Sequence, residues 1–471
     1  MRIKYTHEYN SLPGRLLRWL AAGLLLSLAA GCASLPDVRD LSQTLEPADQ
    51  ATITTASGGA LSQQKAQSLL ARKLKNSKVD LTALAALEEA ATGSPLIAGN
   101  QVTLLFDGPA TMKAMIAAIS GAKNNINLET YIFDQDELGM QFAELLMAKQ
   151  RAGVPVHILY DGVGTLSTPA EFFTRMREAG ITLTEYNPVN PLKRLGNWKI
   201  NNRDHRKILV VDGRIGFAGG VNISEDYSSS SLFRSHTKRP NAALGWRDTH
   251  LRIEGPAVAS LQYLFLDTWA SQNKNDIDDL DYFPTLSAAG DQVVRVVGSK
   301  PQGKFEIYKA YVLAIQQSQK SIHMTVAYFA PDRQMLDSLK DAAARGVDVK
   351  LIFPGISDAG IMLHAGQSFY TELLDAGIRV FELQGSVLHA KTAVIDHAWS
   401  TVGSANMDIR SFMHNNESNV IVVGDVFGQA MESAFQDDLK NSIEMTREKW
   451  QQRPVSKNIL EWAARSLEYY L

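Results

Sequence analysis

Two copies of one motif organise this sequence: residues 205–212 read HRKILVVD, and residues 389–396 read HAKTAVID. In each copy a lysine follows the histidine by two residues and an aspartate by seven. An asparagine follows by seventeen residues, at Asn222 in the first copy and Asn406 in the second. A single match of this kind is unremarkable, but two matches with the same downstream residues indicate a repeat.

The sequence around the motif repeats as well, with an offset of 184 to 197 residues between the halves. Residues 125–133 and 321–329 alternate like strands, and each stretch is followed by a helical segment and a second apolar strand. Alternating strands and helices in both halves predict α/β domains with helices packed on a buried sheet. We place the domains at residues 100–285 and 286–471, with the seam within residues 282–291.

The spacing of the motif is meaningful on a strand, because residues two apart face the same side. His205 and Lys207 are then expected to present a nucleophile and a cation to one spot. Asp212-Gly213 is a strong hairpin signal, so the return strand brings Asn222 back beside the histidine. An asparagine there can donate an amide N–H to a phosphoryl oxygen.

Composition narrows the functional classes. The chain has 471 residues and a net charge of −3, whereas proteins that rely on nucleic-acid contacts usually carry a basic surplus. Nucleic acid is therefore not an expected partner. The chain has one cysteine, which excludes an intrachain disulfide framework and a cysteine-based zinc cluster.

The N-terminus is typical of an export signal: basic residues such as Arg2 and Lys4 precede an apolar run too short to span a bilayer. Small residues then lead to Cys32. Residues 1–31 resemble a bacterial lipoprotein signal, which implies that Cys32 is lipidated. A plain signal peptide with an incidental cysteine is the alternative. Residues 32–99 are interpreted as a tether with short helices.

The paired motif resembles the HKD signature of the phospholipase D superfamily, over roughly residues 100–440. The resemblance implies two homologous α/β/α sandwich domains, related by pseudo-twofold symmetry, with one active site at their interface. It implies that one histidine attacks phosphorus and the other acts as acid and base. We assign His205 as the nucleophile and His389 as the acid/base, and the reverse assignment stays open. No metal or other cofactor is implied.

The resemblance assigns further residues to the site. Those expected to hold phosphate oxygens are Lys207, Lys391, Asn222, Asn406, Ser404 and Gly220. Glu417 and Asp248 are the carboxylates expected to orient the imidazoles. Asp212 and Asp396 complete the motif and are candidate catalytic residues, but their turn position favours capping the hairpin through bonds to backbone.

Residues 203–207, 219–227, 246–250 and 389–410 look like those of bacterial cardiolipin synthases. This likeness predicts phosphatidyl transfer that makes cardiolipin from phosphatidylglycerol, with phosphatidylglycerol or phosphatidylethanolamine as the second donor. Hydrolysis by water, as in phospholipase D, is the alternative. A run of basic residues before the first motif suits an anionic head group. Its members are Lys193, Arg194, Lys199, Arg203, Arg206 and Lys207.

The start of the chain departs from typical cardiolipin synthases, which carry transmembrane helices there. We expect that the lipid anchor holds the protein at a membrane surface. We also expect a monomer. Export places it in the cell envelope, facing the periplasm. Ala33 after the cysteine favours the outer membrane.

Overall fold

Each motif folds into a β-hairpin. Strand Ile208–Val211 turns at Asp212 and Gly213, whose φ angles of 56° and 63° are both positive, and returns as Ile215–Gly219. Two consecutive residues with positive φ make the tight turn whose twist matches that of paired strands. In the second half, strands Lys391–Ile395 and Trp399–Gly403 flank a turn that also has two positive φ angles.

The computed structural model describes residues 34–39, 41–45, 50–190, 199–227, 245–272 and 279–465, without the side chains of residues 42 and 455–458. The predicted signal at residues 1–31 and the predicted lipidation site Cys32 lie outside these ranges, as do Lys193 and Arg194. Within the described ranges, no helix is both long and apolar enough to cross a membrane.

The sheet of the first half has the hairpin at its centre. Three parallel strands, Thr182–Tyr186, Val156–Asp161 and Ile126–Thr130, lie on one side of it. On the other side, His250–Glu254 and then Leu96–Leu105 add antiparallel.

The second half repeats this order strand for strand. Its parallel strands are Arg379–Leu383, Asp348–Pro354 and Ser321–Val326, followed by its own hairpin. Asn415–Val423 and Gln292–Ser299 take the last two places. The prediction of two homologous α/β domains is confirmed.

Helices cover both faces of the two sheets. In the first half they are Gly108–Gly121, Glu137–Arg151, Ala170–Glu178 and Val258–Gln272. In the second half they are Glu306–Gln317, Arg333–Ala344, Gly360–Gln367, Tyr370–Asp375 and Asp425–Lys440. Shorter or terminal helices are Leu41–Thr44, Gln63–Lys73, Thr82–Thr92, Glu225–Tyr227, Ile409–Met413, Arg447–Gln451 and Val455–Arg465. Short strands are Ile53–Thr54, Arg203–Asp204, Trp246–Arg247, Phe329–Ala330, Val387–Leu388, Met407–Asp408 and Ser442–Met445.

The motif strands separate two hydrophobic cores. Leu209 and Val211 face the outer helices of the first half, whereas Ile208 and Val210 enter a core that residues of both halves share. This alternation follows from the two-residue period of a strand. Every residue of Ile208–Val211 is buried, so this strand helps to hold the nearby His205 in a fixed position.

The residues before position 100 contribute to the body of the protein. Helix Thr82–Thr92 packs on a helix of the second half. Its buried Glu88 forms an ion pair with Arg295 and accepts a hydrogen bond from the indole N–H of Trp399 at 2.7 Å. Strand Leu96–Leu105 begins before the predicted domain start, and its two ends pair with strands of different halves. The domain boundaries themselves stay a prediction.

Candidate active site

Each motif histidine is fixed by a strand pair that crosses between the halves. The two residues before His205 pair with Asn415–Asn416, and the His205 amide donates to the Asn416 carbonyl at 3.0 Å. The two residues before His389 pair with Trp246–Arg247, and the His389 amide donates to the Arg247 carbonyl at 2.8 Å. Each half thus positions the histidine of the other, as pseudo-twofold symmetry requires.

Both histidines line one cavity of about 250 Å³ between the halves. The sequence separates His205 and His389 by 184 residues, and the duplicated fold brings them to one site. The remaining wall residues are Tyr131, Ile132, Arg203, Asn222, Trp246, Tyr328, Asp358, Met362, Asn406, Asp408, Arg410, Ser411 and Asn415.

A buried carboxylate from the opposite half holds each imidazole. His205 Nδ1 lies 3.0 Å from Glu417 Oε1, and His389 Nδ1 lies 2.7 Å from Asp248 Oδ2. Both carboxylates are fully buried. Because a carboxylate accepts hydrogen bonds, we assign the proton of each neutral ring to Nδ1, which leaves Nε2 for chemistry.

Burial keeps the first imidazole neutral. It lowers the pKa of His205 to about 4, against the opposing effect of Glu417. Burial alone raises the pKa of Glu417, but His205, Lys207 and the Ser404 hydroxyl outweigh it and bring that pKa down to about 2. At neutral pH, a neutral His205 therefore faces an ionised Glu417, which is the state a nucleophile needs.

The second imidazole has a different electrostatic setting. Burial and the charge of Lys391 lower the pKa of His389 well below its ordinary value. Burial raises the pKa of Asp248 to about 6, with Lys391 opposing the shift. An anion bound beside this imidazole would favour its cationic form and so raise the pKa of His389.

The two motif lysines are buried beside the histidines. Lys207 Nζ donates to the His205 carbonyl at 2.7 Å, and Lys391 Nζ donates to the His389 carbonyl. Burial lowers the pKa of Lys207 to about 7 and also lowers the pKa of Lys391. Their role in holding phosphate oxygens stays a prediction.

Asn222 and Asn406 both line the cavity. The Asn222 amide also supports the fold, since its Oδ1 accepts from the Ile132 amide at 3.1 Å and its Nδ2 donates to Tyr227 Oη at 2.9 Å. An asparagine amide has two N–H groups, so Asn222 keeps one for a phosphoryl oxygen. This role, too, stays a prediction for both asparagines.

Gly220 and Ser404 contact the two orienting carboxylates, and their role in holding phosphate stays a prediction. The Gly220 amide donates to the Thr249 carbonyl at 3.0 Å, so it is already engaged. A β-carbon at Gly220 would lie 2.1 Å from Asp248 Oδ1, so glycine makes room for the carboxylate. Ser404 Oγ donates to Glu417 Oε2 at 2.5 Å.

Asp212 and Asp396 bind backbone amides and are not among the residues that line the cavity, and their catalytic candidacy stays a prediction. The Asp212 carboxylate accepts hydrogen bonds from the amides of residues 123–125 at 2.7 to 3.1 Å. Asp396 accepts from the amides of residues 319–321 at 2.7 to 2.9 Å. Each lies roughly 20 Å along a strand from its histidine. They fasten the loop before a neighbouring strand and do not cap their own hairpin.

The basic run before the first motif is partly structural. Arg206 is fully buried and donates to three backbone carbonyls and to the Thr268 hydroxyl. Arg203 is also buried and forms an ion pair with Asp161 at 3.4 Å, although it reaches the cavity wall. The prediction that the basic run attracts an anionic head group is therefore wrong for Arg206.

Aromatic residues around the histidines escaped the sequence analysis. Tyr131 meets His205 edge-on at 5.0 Å between ring centroids, and Tyr328 meets His389 edge-on at 6.1 Å. Tyr227 Oη lies 3.2 Å from His389 Nδ1. The repeat held no signal for the first pair, because the strand registers align Tyr131 with Ala327 and Tyr328 with Ile132.

Comparison with known proteins identifies the repeated domain. The family model described as the PLD-like domain of cardiolipin synthase matches residues 115–232 and 311–439. A cardiolipin synthase of Alkalihalophilus pseudofirmus is 34% identical over 79% of this chain and 73% of its own length. A cardiolipin synthase of Geobacillus kaustophilus is 35% identical over 79% of this chain and 73% of its own length.

Solved structures share the fold at low identity. The phosphatidylserine synthase of Haemophilus influenzae aligns with a TM-score of 0.60 and 14% identity, over 79% of this chain and 95% of that one. The polyphosphate kinase of Porphyromonas gingivalis aligns with a TM-score of 0.50 and 12% identity, over 85% of this chain and 56% of that one. These likenesses support the architecture alone.

Proposed function

The chain belongs to the family of cardiolipin synthases with PLD-like domains, and from that premise we propose that it joins two phospholipids by phosphatidyl transfer. The proposed substrates are two molecules of phosphatidylglycerol, which give cardiolipin and glycerol. Phosphatidylethanolamine is the alternative to phosphatidylglycerol as the second donor. The observation that carries the proposal is one cavity with two imidazoles, each held by a carboxylate of the opposite half.

In the first step, His205 Nε2 attacks the phosphorus of phosphatidylglycerol, and the bond from phosphorus to the glycerol oxygen breaks. His389, protonated on Nε2, gives that proton to the leaving glycerol. The intermediate carries the phosphatidyl group on His205 Nε2 and a proton on Nδ1. The Glu417 carboxylate offsets the positive charge of this ring.

In the second step, His389 removes the proton from the terminal hydroxyl of a second phosphatidylglycerol. The hydroxyl oxygen attacks phosphorus, and the bond from phosphorus to His205 Nε2 breaks. Cardiolipin leaves, His205 is again neutral and His389 is again protonated. If water takes the place of that hydroxyl, the product is phosphatidic acid.

Product analysis tests this proposal. Purified protein is incubated with phosphatidylglycerol in mixed micelles, and the lipids are identified by mass spectrometry. Cardiolipin with an equal amount of glycerol is expected, and both His205→Ala and His389→Ala should abolish it. Phosphatidic acid without cardiolipin would assign the chain to hydrolysis, and unchanged phosphatidylglycerol would contradict both reactions.

A p-nitrophenyl phosphodiester separates the roles of the two histidines, because p-nitrophenolate leaves without needing a proton. His389→Ala should release about one equivalent of nitrophenolate per protein in a burst and then stop. His205→Ala should give no burst. The opposite pattern would exchange the two roles.

We also propose the cellular setting. The basic N-terminus, the short apolar run and the lone Cys32 support a lipid-anchored protein on the periplasmic side of the envelope, with the outer membrane favoured. A complete cavity within one chain supports a monomer. Labelling of the wild type but not of Cys32→Ser with a palmitate analogue is the expected result, and equal labelling would overturn the anchor.

A further inference from the structure

The C-terminal helix Val455–Arg465 has its faces reversed relative to an ordinary surface helix. Glu461 and Ala464 face the body and are each 4% exposed, whereas Ile459, Leu460 and Trp462 are 65%, 50% and 73% exposed. Surface helices normally turn their apolar stripe inward and their charges outward. This helix therefore presents isoleucine, leucine and tryptophan side chains on its outer face.

Specific contacts on the inward face fix this orientation. Both Glu461 carboxylate oxygens accept from the Arg453 guanidinium at 3.1 Å. Arg465 donates to Glu372 at 2.8 Å and lies 4.5 Å from the centroid of the Phe369 ring. Rotating the helix to bury its apolar face would break these contacts, so the outward apolar face belongs to the folded structure.

A neighbouring helix carries the apolar surface to the catalytic cavity. Helix Gly360–Gln367 packs beside the C-terminal helix. Its Ile361 is 45% exposed, and the next residue, Met362, lines the cavity that holds both histidines. One helix thus connects an exposed apolar surface with the place where phosphorus chemistry occurs.

We propose that Ile361, Ile459, Leu460 and Trp462 form a docking surface that inserts into the interfacial layer of a phospholipid membrane. Inserted in this way, it presents the cavity to lipid head groups. The inference rests on the proposed function, because a lipid substrate is what makes the continuity with the cavity useful.

Two observations favour a membrane over another occupant. Tryptophan beside branched aliphatic side chains on an exposed helix face is the composition that enters the head-group boundary of a bilayer. The surface also adjoins the cavity through Met362. An enzyme that takes its substrate from a membrane needs its membrane contact next to the active site, whereas a dimer contact has no such requirement. A covalent lipid anchor is a weak hold by itself and works with a second contact of this kind.

A kinetic comparison tests the docking surface in the full chain. We expect the double variant Leu460→Ser/Trp462→Ser to lose at least tenfold in activity on phosphatidylglycerol vesicles, because two apolar side chains no longer enter the lipid. Its activity on monomeric short-chain phosphatidylglycerol should stay within twofold of wild type. The matched control Leu166→Ser/Val426→Ser, at positions 70% and 78% exposed, should match wild type on both substrates.

Direct contact is measured by fluorescence. Vesicles with brominated acyl chains should quench part of the wild-type emission, and Trp462→Phe should lose that part. The quenching should persist in about 1 M salt, where charges are screened within about 3 Å.

The outcomes separate this inference from the proposed function. Equal vesicle activity of the double variant and wild type, or an equal loss in the control, overturns the docking surface. Conversion of a dimer to a monomer by the double variant, seen by sedimentation, assigns the surface to a second copy and also overturns it. Wild-type protein without turnover of short-chain phosphatidylglycerol contradicts the proposed function instead.

Discussion

Replacing Glu417 by glutamine tests the role of the cross-domain carboxylates. The substitution keeps the shape of the side chain and removes its charge. In the proposed first step the His205 ring gains a positive charge when its Nε2 binds phosphorus. Glu417, 3.0 Å from Nδ1, is the group that offsets this charge. The variant should therefore slow formation of the covalent intermediate.

The size of the effect follows from the 3.0 Å distance between Glu417 Oε1 and the His205 ring nitrogen Nδ1. Two opposite unit charges about 4 Å apart interact with about 4 kcal/mol at an effective dielectric constant of about 20. Loss of an interaction of that size corresponds to roughly a hundredfold or more in rate. We expect kcat/KM of Glu417→Gln to fall by about 10²- to 10³-fold.

The assay follows nitrophenolate release from a p-nitrophenyl phosphodiester, with Asp248→Asn as the matched variant at the other histidine. Glu417→Gln should slow the burst. Asp248→Asn should keep the burst and slow turnover with phosphatidylglycerol, since only the latter reaction needs a proton from His389. Circular dichroism and thermal unfolding check that both variants are folded. A folded Glu417→Gln protein with kcat/KM within threefold of wild type would refute the proposed charge stabilisation.

Three further variants test individual contacts of the structure. Because burial lowers the pKa of Lys207 to about 7, kcat/KM should decline above that pH as the ammonium deprotonates. Lys207→Arg should move this decline to higher pH. A decline at the same pH in the variant would assign it to another group. Gly220→Ala places a methyl group against Asp248, so cardiolipin formation should fall at least tenfold. The nitrophenolate burst should remain. Normal cardiolipin synthesis by this variant would contradict the close packing of Gly220 on Asp248. Asp212→Ala removes the acceptor of three amide hydrogen bonds, so the free energy of unfolding, measured in urea, should fall by about 2–4 kcal/mol. The kcat of this variant should stay within twofold of wild type. A stable but inactive variant would instead support a catalytic role for Asp212.

Much of the architecture could be predicted from the sequence because the fold is duplicated. The motif spacing located both hairpins, since Asp212-Gly213 is a turn signal and the residues before it are apolar. The equal spacing of the second motif then fixed a second copy of the same sheet. A period in the sequence is visible without knowing how the two copies pack, so this level of structure was accessible.

The partners of individual polar groups could not be predicted in the same way. Gly220 and Ser404 have the composition of a phosphate-binding turn, yet the structure uses them to accommodate Asp248 and Glu417. Asp212 reaches the loop before a neighbouring strand and not its own turn. Which donor meets which acceptor depends on the packing of strands distant in sequence, and short motifs do not carry that information.

The crossing of contacts between the halves explains why the duplicated domain works as one enzyme. His205 takes its backbone acceptor from Asn416 and its carboxylate from Glu417, both in the second half. His389 takes the corresponding groups from Arg247 and Asp248 of the first half. A separated half therefore retains a histidine but loses the groups that set its position and its protonated nitrogen. Since burial between the halves also lowers the pKa of both imidazoles, assembly of the interface creates the nucleophile as well as the cavity.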